Sequence, residues 1–239
     1  MSPRKANQPQ LSTAQIVAAA MELIDETGLE GHTMRALGAK LGVDASTIYY
    51  HLPNKSALYG LIVDEVMSGL DLSSDDPARS VEDRLVVAAW QYRRALLVHP
   101  RALPLVGVRS MRSPAQLRGI EILLGIFFEA GLSPAEAMIG IDAIGQTVIG
   151  MTSVYAAQLT DNEYRNDGEP FADLPSEQFP NITRLLSEGA YLGFDAEFEA
   201  TIRALVVGLL ANAAAGTLIP ADAQPVPVDP DLIRNTKNR

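Results

Sequence analysis

The chain contains no cysteine, which excludes disulfide frameworks, thiolate zinc sites and thiol nucleophiles. Aromatic residues make up only 6% of it, with one tryptophan. The three histidines, His32, His51 and His99, are too scattered to suggest a metal site. Period-two alternation is missing, so no strand is expected. The longest apolar run, about 204–219, is interrupted by Asn212 and has no basic flank. It falls short of the roughly 20 residues that span a bilayer. The first ten residues are polar and lack the apolar core of a secretory signal. These absences predict a cytoplasmic protein with no membrane partner. Positive charge is also scarce: 19 Lys and Arg stand against 29 Asp and Glu, a net charge of −10.

What is present is helical periodicity in a chain of 239 residues, 47% of them apolar. Ser12 and Gln15 form a capping box ahead of the stripe Ile16, Ala19, Ala20, Leu23 and Ile24, which Gly28 stops. Thr33 caps a second helix with Met34, Leu37 and Leu41 inward. Asp44 caps a third, with Ile48 and Leu52 inward and Pro53 at its end. Asn54 caps a fourth, with Leu58, Leu61, Ile62 and Val66 on one face. After a polar break from Asp71 to Pro77, helices are expected near 80–98, 101–110, 114–130, 133–160, 181–192 and 195–215. Residues 161–180 read as a loop. The expected division is a head at 1–70, a body at 71–219 and a mobile tail at 220–239.

The second and third helices are joined by a tight turn containing Gly42, the arrangement that sets a recognition helix in a DNA major groove. Tyr49, Tyr50 and His51 are consecutive, so they cannot all face one core. An exposed aromatic pair points to a binding surface. Thr47 and Tyr49 can donate to phosphates or touch thymine methyls. Arg35 and Lys55 are placed to grip the backbone on either side. Residues 1–60 balance Arg4, Lys5, Arg35, Lys40 and Lys55 against Glu22, Asp25, Glu26, Glu30 and Asp44. The acidic excess therefore lies in the body, and the head can still dock on DNA, with steep salt dependence.

The run Thr33-x-Arg35-x-Leu37-Gly38-x-x-Leu41-Gly42-Val43-x-x-x-Thr47-Ile48-Tyr49-x-His51-Leu52-x-Asn54-Lys55 resembles the DNA-binding head of the TetR family of repressors. The likeness covers about residues 11–60 and implies DNA contacts from Thr33, Arg35, Ala45, Ser46, Thr47, Tyr49, Tyr50, His51 and Lys55. More loosely, Arg93-Arg94-Ala95-Leu96-Leu97, Ala130-Gly131-Leu132-Ser133 and Ala143-Ile144-Gly145 with Gly150 are similar to the body of the tetracycline-repressor branch. This implies an all-α protein: a three-helix helix-turn-helix head and a helical body that dimerises and binds a small organic effector. It further implies a homodimer on a palindromic double-stranded operator, released when the effector separates the heads.

In that branch a histidine after the fifth helix and an acid late in the eighth help hold a drug–magnesium complex. Val106 and Val154 fall at about those positions here, so an effector without a metal is expected. Trp90, Tyr92, Arg109, Phe127, Gln146 and Met151 are the expected effector contacts, although a core reading of Trp90, Tyr92, Phe127 and Met151 stays open. The helices 133–160 and 195–215 are apolar on nearly every side and so need burial all round, which a partner chain can supply. Leu209 and Val206 are the expected partner-facing residues, and Gly140, Gly145 and Gly150 are read as close helix approaches. His99, before Pro100, is read as a helix C-cap. Asp142 stands alone in an apolar helix with no partnered carboxylate or nucleophile, so no enzyme is expected. The competing reading is a helical dimerisation scaffold without DNA binding.

Overall fold

A computed structural model of the protein describes residues 11–72, 75–106, 114–160, 174–189 and 192–223. Among these it has ten α-helices, one 3-10 turn and no strand. The helices are α1 (Thr13–Gly31), α2 (Met34–Leu41), α3 (Ala45–His51), α4 (Lys55–Ser68), α5 (Val81–Val98), α6 (Leu103–Val106), α7 (Pro114–Glu129), α8 (Pro134–Thr160), α9 (Pro180–Ser187) and α10 (Phe194–Ala214). The 3-10 turn, Pro100–Ala102, joins α5 to α6.

The caps read from sequence form as side-chain hydrogen bonds at several starts. Ser12 and Gln15 make a full capping box on α1. Thr33 accepts from the Ala36 N–H, and Asn54 from the Ala57 N–H. The Ser133 hydroxyl and N–H both donate to Glu136 ahead of α8. Asp44 departs from this pattern. It occupies the N-cap position of α3, but its carboxylate makes no capping bond. Helix α1 kinks at Gly28, whose φ of 73° is in the left-handed region, and helical turns continue to Gly31. The helix expected at 101–110 starts at Leu103, because the segment after Pro100 first tightens into a 3-10 turn, and its expected end lies outside the described residues. The 181–192 helix ends at Ser187, and Gly189 follows it at φ +61°.

Helices α1 to α3 close a small core around Ile16, Ala20, Ile24, Leu37 and Ile48, all fully buried or nearly so. Helix α4 packs on α1 and also on α5 and α7, so it belongs to both ends of the molecule. In the larger part α8 packs against α5, α7 and α10, and α10 also against α5. Phe127, Leu85, Leu96, Phe198, Ile202 and Val206 fill this interior. Residues 134–159 of α8 are long and apolar enough to cross a membrane by length and composition. Here they form a helix of the bundle, carrying Glu136 and Asp142.

The burial of α10 corrects one expectation. Val206 and Leu209 face the protomer's own interior, at 0% and 6% exposure. The apolar residues left outside are Val207 on α10 and Met138, Ile139, Val154 and Leu159 on α8. A helix that is apolar on every side gives no periodic signal for which stripe is inner. The three glycines of α8 also differ. A Cβ on Gly140 would lie 2.5 Å from Phe127 Cζ, so that glycine permits a close approach to α7. Cβ atoms on Gly145 and Gly150 would meet nothing within 4 Å.

Candidate nucleic-acid interface and effector cavity

The turn between α2 and α3 is set by two glycines. Gly42 ends α2 in the left-handed region at φ 68°, and the Val43 N–H reaches back to the Gly38 carbonyl at 2.9 Å. A Cβ on Gly38 would lie 2.7 Å from the Val43 carbonyl oxygen. Any larger residue there would push α3 off its seat. With α3 seated, Ile48 is fully buried and Leu52 nearly so. The helix then turns Ser46, Thr47, Tyr49 and Tyr50 outward, with Tyr50 at 86% exposure. His51 is half-buried and meets the Tyr50 ring edge-on at 5.5 Å. Arg35 is exposed on α2, Ala45 is half-buried at the start of α3, and Thr33 is occupied as a cap.

Lys55 is placed differently from the simple phosphate-gripping role read from sequence. Its ammonium donates to the His32 carbonyl at 2.6 Å and sits 5.1 Å from the centre of the Tyr59 ring. It ties α4 to the end of α1, leaving its other N–H donors for a phosphate. His32 beneath it is fully buried, with Nδ1 3.3 Å from the Tyr59 hydroxyl and no partner at Nε2. Burial, and then the Lys55 charge, push the imidazole pKa down to about 4. It is therefore neutral at physiological pH. Sequence reading gave His32 no role; its place between Gly31 and the cap residue Thr33 was the available signal.

A cavity of about 230 Å³ lies among α4, α5, α7 and α8. Tyr92 and Gln146 line it, together with Val106, Gln116, Asp142 and Gly145. Burial raises the Tyr92 hydroxyl to about 12, so it stays neutral and can donate or accept. Trp90, Phe127 and Met151 are not in this wall. Trp90 lies two positions before Tyr92, roughly 200° round the helix. Its indole N–H donates to Glu199 at 2.8 Å and its ring packs edge-on against Phe198. Phe127 is fully buried against Gly140. Met151 is half-buried and packs on the core rather than lining the cavity. Arg109 lies outside the described residues. What sequence reading missed are Asp142, Gly145 and Ile149, which line the cavity on the same face of α8 as the expected Gln146. Two polar residues one turn apart in an apolar helix were a usable signal.

The cavity lining holds one carboxylate, Asp142, and no histidine. Val106 reaches the wall without a ligating atom, and Val154 is 57% exposed on α8. Among the described residues no three His, Asp or Glu side chains converge as a metal site.

The α5–α10 seam is polar and strongly tied. Arg93 is almost fully buried, its guanidinium about 5 Å from the rings of Trp90, Tyr155 and Phe198, and it donates to Asp195 at 2.6 Å. Arg203 bridges Asp83 and Glu199. At the other end of α5, His99 pairs with Asp25, and Arg101 donates to the Glu26 carbonyl at 2.9 Å. His99 is thus the C-terminal residue expected from sequence, with a partner on α1.

Comparison with known proteins matches both ends of the chain. Residues 16–62 match the model for bacterial regulatory proteins of the tetR family, and residues 74–213 that for the tetracyclin repressor-like C-terminal domain. The chain is 30% identical to the class D tetracycline repressor protein of Escherichia coli over 178 residues, 73% of this chain and 77% of that one. It is 28% identical to the transcriptional repressor DrrR1 of Streptomyces coeruleorubidus, over 79% of this chain and 69% of that one. In fold it is similar to a possible TetR family regulator from Streptomyces coelicolor, with a TM-score of 0.73, 25% identity and coverage of 84% of this chain and 99% of that one. It is also similar to the Streptomyces coelicolor protein ActR solved with actinorhodin, with a TM-score of 0.74, 24% identity and coverage of 87% and 100%. With a glycine-set recognition helix at one end and both family models matched in order, the chain belongs to the TetR family of transcriptional regulators.

Proposed function

We propose that the protein is a cytoplasmic, non-enzymatic repressor that binds a palindromic operator as a homodimer and leaves it when a small organic molecule enters the α4–α5–α7–α8 cavity. The observation that carries this reading is the shared position of α4. Its start ties Lys55 to the His32 carbonyl at the end of α1 in the head, and its end supplies Met67 and the adjoining Leu70 and Leu72 to the cavity wall. A ligand that prefers one arrangement of α4 therefore shifts the heads by its differential affinity. We place the boundary between head and body near residue 70, with residues 220–239 as a tail.

The DNA contacts proposed are Arg35, Ser46, Thr47, Tyr49, Tyr50 and His51, with Thr33, Ala45 and Lys55 positioning them. The exposed apolar residues of α8 and α10, Met138, Ile139, Val154, Leu159 and Val207, support a second copy of the chain as their cover. The relatives include tetracycline repressors; the lining with Val106 supports an effector that is not a metal chelate. A mobility shift with the promoter of the protein's own gene, followed by release with candidate effectors, tests the reading. A chain that never retards that promoter would favour the scaffold reading instead.

A further inference from the structure

A second cavity of about 230 Å³ adjoins the first, and the two share Leu72 and Ala88 as their common wall. The inner one is mostly apolar, with Tyr92, Gln116, Gln146 and Asp142 as its polar points. The outer one, between the α4–α5 connection, α5 and α7, is lined by Asp75, Asp76, Arg79, Arg84 and Gln91 over an apolar floor of Val87, Ile122 and Ile126. The four charges that line it are already paired, and Glu129 adds a third carboxylate from outside the lining. Arg84 donates to both Asp75 oxygens, at 2.8 and 2.6 Å, and to Glu129, while Arg79 lies 3.5 Å from Asp76.

Size and charge together restrict the occupant. Each cavity alone falls below the roughly 300 Å³ at which ligand pockets usually begin, and the two joined fall inside the range. The wall between them is one leucine side chain on irregular chain after α4 and one methyl group. An anionic arm in the outer cavity would meet carboxylates in excess, and a cationic arm would have to draw those carboxylates away from Arg79 and Arg84. A neutral arm that both donates and accepts finds carboxylate acceptors and guanidinium donors side by side.

We propose that the two cavities form one effector site in two compartments, taking a flat apolar ring system inside and a neutral, hydroxyl-rich arm such as a sugar outside, past Leu72. This rests on the inner cavity being the effector site, and it names the ligand class. It also gives Leu72 a part in the response. Seating the arm displaces Leu72, four residues past the end of α4, where a bare ring system does not.

Calorimetry on the intact protein with emodin and emodin 8-O-glucoside tests this. The glucoside is expected to bind at least about tenfold tighter than emodin, as one or two extra hydrogen bonds allow. Val87→Phe fills the outer compartment alone and should abolish that gain while leaving emodin within about twofold. Arg79→Ala, at an exposed rim position that tolerates truncation, should cost the glucoside about fivefold and emodin nothing. A glucoside no tighter than emodin, or a gain that survives both variants, overturns the two-compartment site. Emodin binding lost in Gly145→Phe, which fills the inner compartment, would still uphold the inner cavity in that case. Failure of both compounds to bind overturns the ligand class, and the promoter assay judges the regulator reading separately.

Discussion

His99 Nδ1 lies 2.7 Å from Asp25 Oδ2, joining the last turn of α5 to α1 of the DNA-binding head. Two residues on, Arg101 donates to the Glu26 carbonyl. The head is thus held to the body at a corner as well as through α4. A partly exposed hydrogen bond of this kind contributes about 1 kcal/mol, so its part is positional rather than stabilising. His99→Ala should leave the melting temperature within a few degrees and effector affinity unchanged. The expected change is in coupling: more effector is needed for half-release of the operator. Titrating release against effector, beside direct binding, checks this. Equal shifts in both curves would mean the pair only supports the cavity.

The recognition surface separates by burial. Tyr49→Ala with His51→Ala removes two outward groups of α3 and should weaken operator binding by a few kcal/mol, at about 1–3 kcal/mol per good contact, with unchanged helicity. Lys55→Ala should do something else. Because its ammonium holds the His32 carbonyl, its loss should lower stability by about 1–2 kcal/mol and weaken every DNA sequence alike. Chemical denaturation beside mobility shifts distinguishes the two variants. A Lys55→Ala protein of normal stability would return that residue to a purely phosphate-binding role.

The head was legible because each of its devices is local. Ser12, Thr33, Asn54, Gly28 and Gly42 signal their caps and turns within four residues, and Ile48 and Leu52 read as inward from spacing alone. The body was less legible because its information is long-range. Trp90 and Tyr92 look equally suited to a ligand in sequence, and only the position of α10, with Glu199 and Phe198, draws Trp90 away. Val206 and Val207 are adjacent and chemically identical, yet one is fully buried and the other 45% exposed. Lys55 was read from its charge, while its actual partner is a backbone carbonyl 23 residues earlier. Nothing local encodes that choice.

Acid should destabilise the head through His32. Its pKa is about 4 in the fold against 6.5 for the free side chain, so between those values the unfolded chain binds the extra proton. The contribution of the neutral, buried ring is complete above about pH 6.5 and is lost as pH falls toward 4, by up to about 3 kcal/mol. Urea midpoints of the wild type and of His32→Leu, compared at pH 7 and 4.5, should converge on the acid side. Parallel pH profiles would show that the ring titrates normally.

The dimer seam can be tested with neighbouring valines. Val207→Glu places a charge on the outer apolar face of α10, where the free protomer can hydrate it. In a homodimer built on α8 and α10 it would be buried unpaired at a cost of several kcal/mol. Sedimentation should show a folded monomer. Val206→Glu puts the same charge at a fully buried position and should unfold the chain. A Val207→Glu protein that remains dimeric with unchanged affinity would place the seam on another face.

Effector release should not need a divalent cation. The cavity offers the neutral Tyr92 hydroxyl, the amides of Gln116 and Gln146 and the single carboxylate of Asp142. Val106 contributes only methyl groups, and Val154 stands outside the wall. A drug–metal chelate would bring its residual positive charge and open coordination positions to a lining that offers one carboxylate and no histidine to meet them. Operator release by an active organic effector should therefore give the same half-point in EDTA as in millimolar magnesium. Gln146→Ala and Tyr92→Phe should each weaken that effector by about 1 kcal/mol, read by calorimetry on the DNA-free protein. Release by a tetracycline that appears only when magnesium is added would overturn the argument, because the ion would then have found ligands that this lining does not provide.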